Sequence, residues 1–173
     1  MGLEVECAKV ESFIDADLVL EINRFITEPE NFEAEGYLRA VTESNGLVDR
    51  GREEDHHEKL SFGIVESLIE IILPKICDNK SSDVLWITSK LMAELASSQA
   101  FFEGNKRTAY LAGAMFLVNV QKDQGFDRTV IPILNDEFVE ILQDVAIEKE
   151  DHVFIYEYMR DGIGDSLKKL EKD

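Results

Sequence analysis

A long apolar segment in the second half of the chain constrains the fold more than any other feature. Residues 108–120 read TAYLAGAMFLVNV, so apolar side chains would surround a helix here instead of forming one stripe. A helix that is apolar on all sides is a buried helix. The small residues Ala109, Ala112 and Gly113 would allow close contact with neighbouring helices. The segment therefore predicts a central helix around which the rest of the chain packs.

The chain is poor in residues that form tight turns. It has 10 glycines and three prolines in 173 residues, and 45% of its residues are hydrophobic. Sandwiches and barrels need many tight turns, and a chain of this length and apolar content can bury one substantial core. We therefore expect an all-α fold, a helical bundle around the central helix, in a single domain spanning residues 1–173.

Apolar side chains recur at helical spacing in several other stretches. The start and stop signals around them predict the helix boundaries. The predicted helices are one capped by Asp15 or Asp17 and ending before Pro29, one over residues 60–72 closed by Pro74, one over 84–95 capped within Ser81 to Asp83, one over 138–145 capped by Asn135, and one over 151–170 weakened by Gly162 and Gly164. A short extended piece is expected near Pro132.

Charge and segment composition exclude several classes of protein. The chain has 36 acidic and 18 basic residues, a formal net charge of −18. This charge argues against nucleic-acid binding, although a local basic pocket could still hold a small anion. No apolar run approaches the ~18–20 residues of a membrane span. Two cysteines, Cys7 and Cys77, are too few for a disulfide framework. We expect a cytoplasmic protein in a reducing compartment that contacts no membrane.

Residues 99–108, QAFFEGNKRT, lead from a loop into the start of the central helix. A helix N-terminus binds anions through its unpaired N–H groups and the positive end of its dipole. Gly104 would allow close approach of a ligand, while Lys106 and Arg107 would add positive charge. Glu103 beside this site suits Mg²⁺, which takes one or two carboxylates plus the phosphates of a ligand. The segment predicts a Mg-nucleotide site.

A simpler interpretation stays open on the residues alone. Lys106 and Arg107 could be ordinary surface charges at a helix start, with Glu103 as their partner. A Walker A loop does not fit, because GNKRT lacks the G-x-x-x-x-G-K-[ST] spacing.

Residues 101–109, FFEGNKRTA, resemble the signature of the Fic/Doc (Fido) family, H-x-F-x-[D/E]-G-N-[G/K]-R. The resemblance is to the Doc, or death-on-curing, branch, where GNKRTA replaces the GNGR of Fic adenylyltransferases. Residues 16–26 are similar to the family's first helix, and residues 132–147 and 154–163 to its closing helices. Residues 49–80 match poorly.

The resemblance implies an all-α Fic-type fold that binds Mg-ATP and transfers AMP or a phosphoryl group to a protein hydroxyl. On this model Glu103 would hold the metal, and Gly104 and Asn105 would contact phosphates. Lys106 and Arg107 would bind phosphates and neutralise charge on the transferred group. Phe101 would anchor the loop. A translation factor as substrate and an antitoxin as partner are also implied.

Gln99 stands where the family has its catalytic histidine. That histidine takes the proton of the attacking hydroxyl, and a carboxamide cannot. Loss of a general base typically removes a factor of ~10²–10⁴ in rate. The resemblance thus predicts an inactive or weakened enzyme, or alternatively a non-catalytic module that binds a nucleotide or a protein. Tyr110 replaces the second arginine of the AMP-transferring motif, which favours the Doc branch.

The remaining chemistry-bearing side chains fit structural roles better. His56, His57 and His152 lie in acidic stretches that are typical of solvated turns. Trp86, Met92 and Met115 fall at helical spacing and are expected in the core.

Overall fold

The regular secondary structure in the described part of this protein is helical. The computed structural model describes residues 3–27, 56–80 and 83–170, and within these ranges no β-strand is present. An isolated antiparallel bridge joins Glu4 to Asp83. The helices are a 3₁₀ turn at Cys7–Lys9, α1 (Val10–Phe13), α2 (Ala16–Thr27), α3 (His56–Ser67), a π-helical turn at Leu68–Ile72, α4 (Leu73–Lys80), α5 (Val84–Ser97), α6 (Asn105–Asp123), α7 (Asp136–Ala146) and α8 (His152–Leu170). The all-α prediction is confirmed for the described residues.

The predicted central helix is α6. Every side chain from Thr108 to Val118 is buried, so the helix has no solvent-facing stripe over three turns. Its closest neighbour is α5. A Cβ added at Gly113 would lie 2.6 Å from Cγ of Met92 and still closer to its methyl group. Met92 therefore occupies the space that the small residue leaves, as the sequence predicts for a close helix contact.

The other helices pack around α6. The most extensive pairing is between α5 and α6, and α1, α2 and α7 also contact α6. Helix α8 packs mainly on α5 and secondarily on α7. The buried apolar side chains of these helices form one connected core.

Side-chain caps mark three of the predicted helix starts. Asp15, Asp83 and Asn135 each accept a hydrogen bond at 2.8–2.9 Å from a backbone N–H two or three residues later. An oxygen in this position satisfies a donor that the helix itself cannot pair. These starts are confirmed. The predicted stop at Pro29 and the caps at Ser81 and Ser82 lie outside the described residues.

Pro74 does not end its helix, so that prediction is wrong. The helix continues from α3 through the π-helical turn into α4, which ends at Lys80. In the π-helical turn the N–H of Leu73 bonds to the carbonyl of Leu68, five residues back. Proline lacks an N–H and its ring clashes with the carbonyl four residues earlier. The wider turn directly before Pro74 relieves that conflict.

The segment between α6 and α7 is held by side chains and not by a strand pairing. The buried Gln121 amide accepts from the N–H of Val130 at 2.8 Å and donates to its carbonyl at 2.9 Å. The hydroxyl of Tyr110 donates to the carbonyl of Pro132 at 2.7 Å. The short extended piece expected here forms no strand, because these side chains take the backbone groups that a neighbouring strand would need.

Cys7 and Cys77 form a disulfide, with their Cα atoms 5.5 Å apart. We expected two cysteines without a disulfide framework, and the pairing corrects that view. The bond fastens the N-terminal segment to α4 and closes a loop with a sequence separation of 70 residues. In the chain-entropy model, a loop of this size stabilises the fold by about 4 kcal/mol relative to the open chain.

Within the part of the chain that the structure describes, no helix is long and apolar enough to cross a membrane.

Candidate functional site

The loop between α5 and α6, residues 98–104, carries the first part of the motif, and we call it the motif loop. The next three residues of the motif, Asn105 to Arg107, begin α6. Two residues of the motif loop adopt the left-handed backbone conformation, Gln99 with φ 52° and Gly104 with φ 77°. Gln99 follows the last residues of α5, where a left-handed residue commonly ends a helix. Gly104 directly precedes α6, where a residue with a Cβ would be strained. These two residues turn the chain sharply from one helix into the next.

The side chain of Asn105 closes the motif loop. Its Oδ1 accepts from the N–H of Phe101 at 2.9 Å, and its Nδ2 donates to the carbonyl of the same residue at 2.8 Å. Both ends of the amide are therefore bound to the loop backbone. A contact of Asn105 with a phosphate could come from its backbone N–H or from the second hydrogen of Nδ2.

The inner side of the motif loop is anchored in the core. Phe101 is 7% exposed. The carbonyl of Ala100 accepts a hydrogen bond at 2.6 Å from the buried hydroxyl of Ser61 on α3. The next residues face outward, with Phe102 88% exposed and Glu103 also exposed. The loop thus presents Phe102 and Glu103 from a fixed base.

Asn23 on α2 holds the outer side of the loop. Its Nδ2 donates to the carbonyl of Glu103 at 2.9 Å and to Oγ1 of Thr108 at 3.0 Å. Neither Asn23 nor Ser61 was predicted from the sequence. They lie 80 and 39 residues from the groups they bind, and no local pattern marks them.

The start of α6 has the features of an anion-binding helix terminus. The N–H of Thr108 makes the first return bond, to the carbonyl of Gly104 at 2.8 Å. The N–H groups of Asn105, Lys106 and Arg107 precede that bond and have no acceptor within the helix. Gly104 has no side chain with which to cap them. The positive end of the helix dipole lies at the same place.

The two basic residues of the motif lie in different environments. Lys106 is exposed, whereas Arg107 is half-buried with Nη1 3.5 Å from the carbonyl of Ile26. That carbonyl belongs to the last turn of α2, where partial negative charge favours a cation. Lys106 therefore adds positive charge on the solvent side of the helix start. Arg107 adds positive charge and, through its contact with Ile26, links α6 to α2.

A magnesium ion fits this site only together with a ligand. Among the described residues, no group of three or more His, Cys, Asp or Glu side chains could hold a metal ion. Glu103 supplies one exposed carboxylate beside the helix start. Protein sites for Mg²⁺ often consist of one or two carboxylates with the phosphates of the ligand completing the shell. The residues present match that arrangement.

Tyr110 lies away from the helix start. It is 1% exposed, and its hydroxyl is bound to Pro132. Burial, together with the nearby Tyr158, raises the pKa of its phenol to about 12. The side chain at this position therefore faces the core and remains a neutral hydrogen-bond donor.

No protein-family model matches this sequence, and no curated protein or solved structure matches it either.

A second region of interest is a cavity of about 430 Å³ between α5 and the start of α8. It is lined by charged residues from both sides and by His152. His152 is half-buried, which corrects the expectation of a solvated turn. Its ring meets that of Trp86 edge to face at 4.6 Å between centroids. The His152 Nε2 and Trp86 Nε1 atoms are buried and have no hydrogen-bond partner within the described part of the chain.

The surroundings of His152 disfavour its protonated form. Burial lowers its pKa below the usual 6.5, the charge of Lys90 lowers it further, and Asp151 opposes the shift in part. His56 and His57 begin α3, and their side chains lie outside the described residues. Trp86 is half-buried against His152 and Tyr156, while Met92 and Met115 lie in the core as predicted.

The first prediction concerns the left-handed glycine of the motif loop. Gly104→Ala should lower the free energy of unfolding by about 1–2 kcal/mol, because a Cβ is disfavoured at this φ. Gly162→Ala is the matched control. It is exposed within α8 with nothing within 4 Å of its Cβ position, so it should raise stability by roughly 0.5–1 kcal/mol. Urea unfolding of both variants measures the two changes, and an equal effect at both sites would contradict this account of Gly104.

The second prediction concerns pH. The pKa of His152 is lower in the folded state than in the unfolded state. The unfolded state therefore binds the proton more readily. The free energy of unfolding decreases as the pH falls through about 6.5 towards the lower pKa of the folded state. The unfolding free energy of the wild type should therefore fall more steeply between pH 7.5 and pH 5.5 than that of His152→Phe. The phenyl ring keeps the packing against Trp86. Parallel slopes in urea titrations would show that His152 is not responsible.

Proposed function

We propose that the motif loop and the start of α6 bind Mg-ATP, and that the protein is a Doc-like transferase of the Fic/Doc type, weakened by Gln99. One observation carries this proposal. A glycine with positive φ leads directly into the N-terminus of a buried 19-residue helix, and exposed Glu103 and Lys106 lie on either side of it. On this proposal the helices around α6 form a Fic-type bundle, with α2 as its first helix and α7 and α8 as its closing helices.

Phosphate groups suit this helix start better than a carboxylate ligand does. The N–H groups of residues 105–107 can donate to several oxygens of one phosphate. Lys106 adds a point charge, and Arg107 adds a second, delocalised positive charge at the same helix start. A nucleotide places two or three linked phosphates along such a site, which lets the charges act together.

The affinity for nucleotide is expected to depend on magnesium. The chain carries a net charge of −18, so the surface as a whole repels a polyphosphate. Glu103 would hold the ion, and the phosphates would complete its shell. A magnesium ion held by Glu103 would supply positive charge that offsets the negative charge of the transferred group. Because exposed charges are screened over about 8 Å at physiological ionic strength, the basic residues attract phosphate only at short range.

The proposed reaction transfers a phosphoryl or AMP group to a hydroxyl of another protein. The hydroxyl oxygen bonds to the phosphorus, the remainder of the nucleotide leaves, and a base must accept the hydroxyl proton. Gln99 can bind and orient the hydroxyl, but its carboxamide cannot take the proton. The proposal includes a protein substrate such as a translation factor, and an antitoxin that restrains the active form.

Cytoplasmic location is part of the proposal, because ATP and a translation factor are available there. The Cys7–Cys77 disulfide disfavours a cytoplasmic location, since such bonds are uncommon in the reducing cytoplasm. Trapping the thiols by alkylation in intact cells measures this directly. A reduced pair in the cell supports cytoplasmic location, and a fully oxidised pair contradicts it.

Gln99 also supports a second candidate function. Without a general base, the same site can bind a nucleotide without transferring any part of it. In this case the protein is a regulatory module whose partner recognises the nucleotide-bound state. The two functions share the binding site and differ only in the chemistry at position 99.

The third prediction tests nucleotide binding by calorimetric titration of Mg-ATP. The wild type should bind, and Glu103→Ala should lose most of its affinity, because the metal loses its carboxylate ligand. Glu140→Ala is the control, since it removes the same charge from an exposed position on α7. Lack of binding by the wild type would contradict both nucleotide functions. Equal loss in the two variants would show an effect of net charge alone.

The fourth prediction separates transferase from module. Gln99→His restores an imidazole that can accept the hydroxyl proton, so transfer of label from ATP to cellular proteins should rise about 10²–10⁴-fold. ATP labelled on the γ-phosphate and on the α-phosphate distinguishes phosphoryl from AMP transfer. Gln99→Asn is the control, because it keeps a carboxamide. A Gln99→His variant that binds Mg-ATP and transfers nothing would favour the binding module.

A further inference from the structure

We infer that Asn23 is a positioning residue, which holds the Glu103–Gly104 half of the motif loop so that the Glu103 carboxylate and the N–H groups of α6 reach the same ligand. This inference deepens the proposed function and rests on it for the identity of the ligand. The geometry itself is independent of the ligand.

The side-chain amide of Asn23 binds residues on both sides of the bend at Gly104. Nδ2 of Asn23 donates to the carbonyl of Glu103 at 2.9 Å and to Oγ1 of Thr108 at 3.0 Å. Glu103 precedes Gly104, and Thr108 is the first residue of α6 whose N–H bonds within the helix. Thr108 is fully buried. Asn23 therefore fixes the backbone of the metal-binding residue relative to an immobile point on the central helix.

Helix α2 provides a rigid support for this amide. Its Val19, Ile22 and Ile26 side chains are fully buried in the core. The bend lies directly against it. A Cβ at Gly104 would come within 3.2 Å of Asn23 Nδ2 and 3.2 Å of Thr27 Cγ2. The absence of a side chain at Gly104 is what allows Asn23 to reach the loop backbone.

Other side chains hold the opposite half of the loop. Ser61 binds the carbonyl of Ala100, and Asn105 binds both backbone groups of Phe101. None of these contacts involves Asn23. Loss of Asn23 should therefore loosen the segment that carries Glu103 while Phe101 stays anchored.

We expect substitution of Asn23 to weaken the metal-dependent binding of ATP. Groups that orient a metal ligand typically change metal affinity by about 10–100-fold when they are removed. We expect the affinity for Mg-ATP to fall by that factor. The affinity for ATP in the presence of a chelator depends on the helix start and should change less than about threefold. A general loss of stability would lower both affinities together.

Two substitutions at the same position separate geometry from packing. Asn23→Asp keeps the shape of the side chain and removes both donors, but it adds one negative charge, so its effect is compared with that of the uncharged Asn23→Ala. Asn23→Ala removes the side chain. Asn119→Ala is the matched control, because Asn119 also donates across the fold, to the carbonyl of Phe13 at 2.8 Å, at a place remote from the motif loop in sequence. Thermal unfolding of the variants verifies that each is folded at the assay temperature.

The test combines calorimetry with hydrogen exchange. Asn23→Asp should lose 10–100-fold in Mg-ATP affinity, and its Thr108 amide, which bonds to the carbonyl of Gly104, should exchange at least about tenfold faster than that of the wild type and of Asn119→Ala. Wild-type affinity in Asn23→Asp, or an equal loss in Asn119→Ala, would overturn the inference. If the wild type does not bind Mg-ATP, the proposed function fails. The exchange rates alone then test the positioning role of Asn23. Unchanged exchange of the Thr108 amide in Asn23→Asp would then overturn the positioning role.

Discussion

Burial of α6 on every side is the constraint on which the rest of this structure depends. From Thr108 to Val118 no side chain reaches solvent, so this helix can meet a ligand only at its ends. Its N-terminus begins at a glycine that cannot cap it, beside a loop that is held by side chains from α2, α3 and α6 itself. Close packing on every side restricts displacement of this helix. The terminus therefore offers fixed donors at low cost in reorganisation.

The all-α class, the central helix and three helix starts could be predicted from local pattern. Apolar residues on all sides of 108–120 require a buried helix, and Asp15, Asp83 and Asn135 are caps whose partners lie two or three residues away. Gly104 is predicted only to allow close approach of a ligand, and its left-handed backbone is a finding of the structure. The central helix and the caps depend on neighbours in sequence. Such interactions are visible in a single chain without knowledge of its tertiary structure.

The features that could not be predicted depend on distant residues. Cys7 and Cys77 are joined over a separation of 70 residues, and neither position carries a local signal of pairing. Pro74 is tolerated because a π-helical turn precedes it, which no helical periodicity reveals. His152 lies in an acidic stretch, but the packing of α8 on α5 places it against Trp86. Asn23 and Ser61 reach the motif loop only because α2 and α3 pack beside it.

The central claim is that the start of α6 is the phosphate site of this protein. Backbone amide chemical shifts during a titration with Mg-ATP test it most directly, because they locate the ligand on the chain. The account predicts that the largest changes occur at residues 103–107, with smaller changes at Asn23. Changes concentrated around Lys90 and His152, in the cavity between α5 and α8, would contradict it, as would a spectrum that does not change.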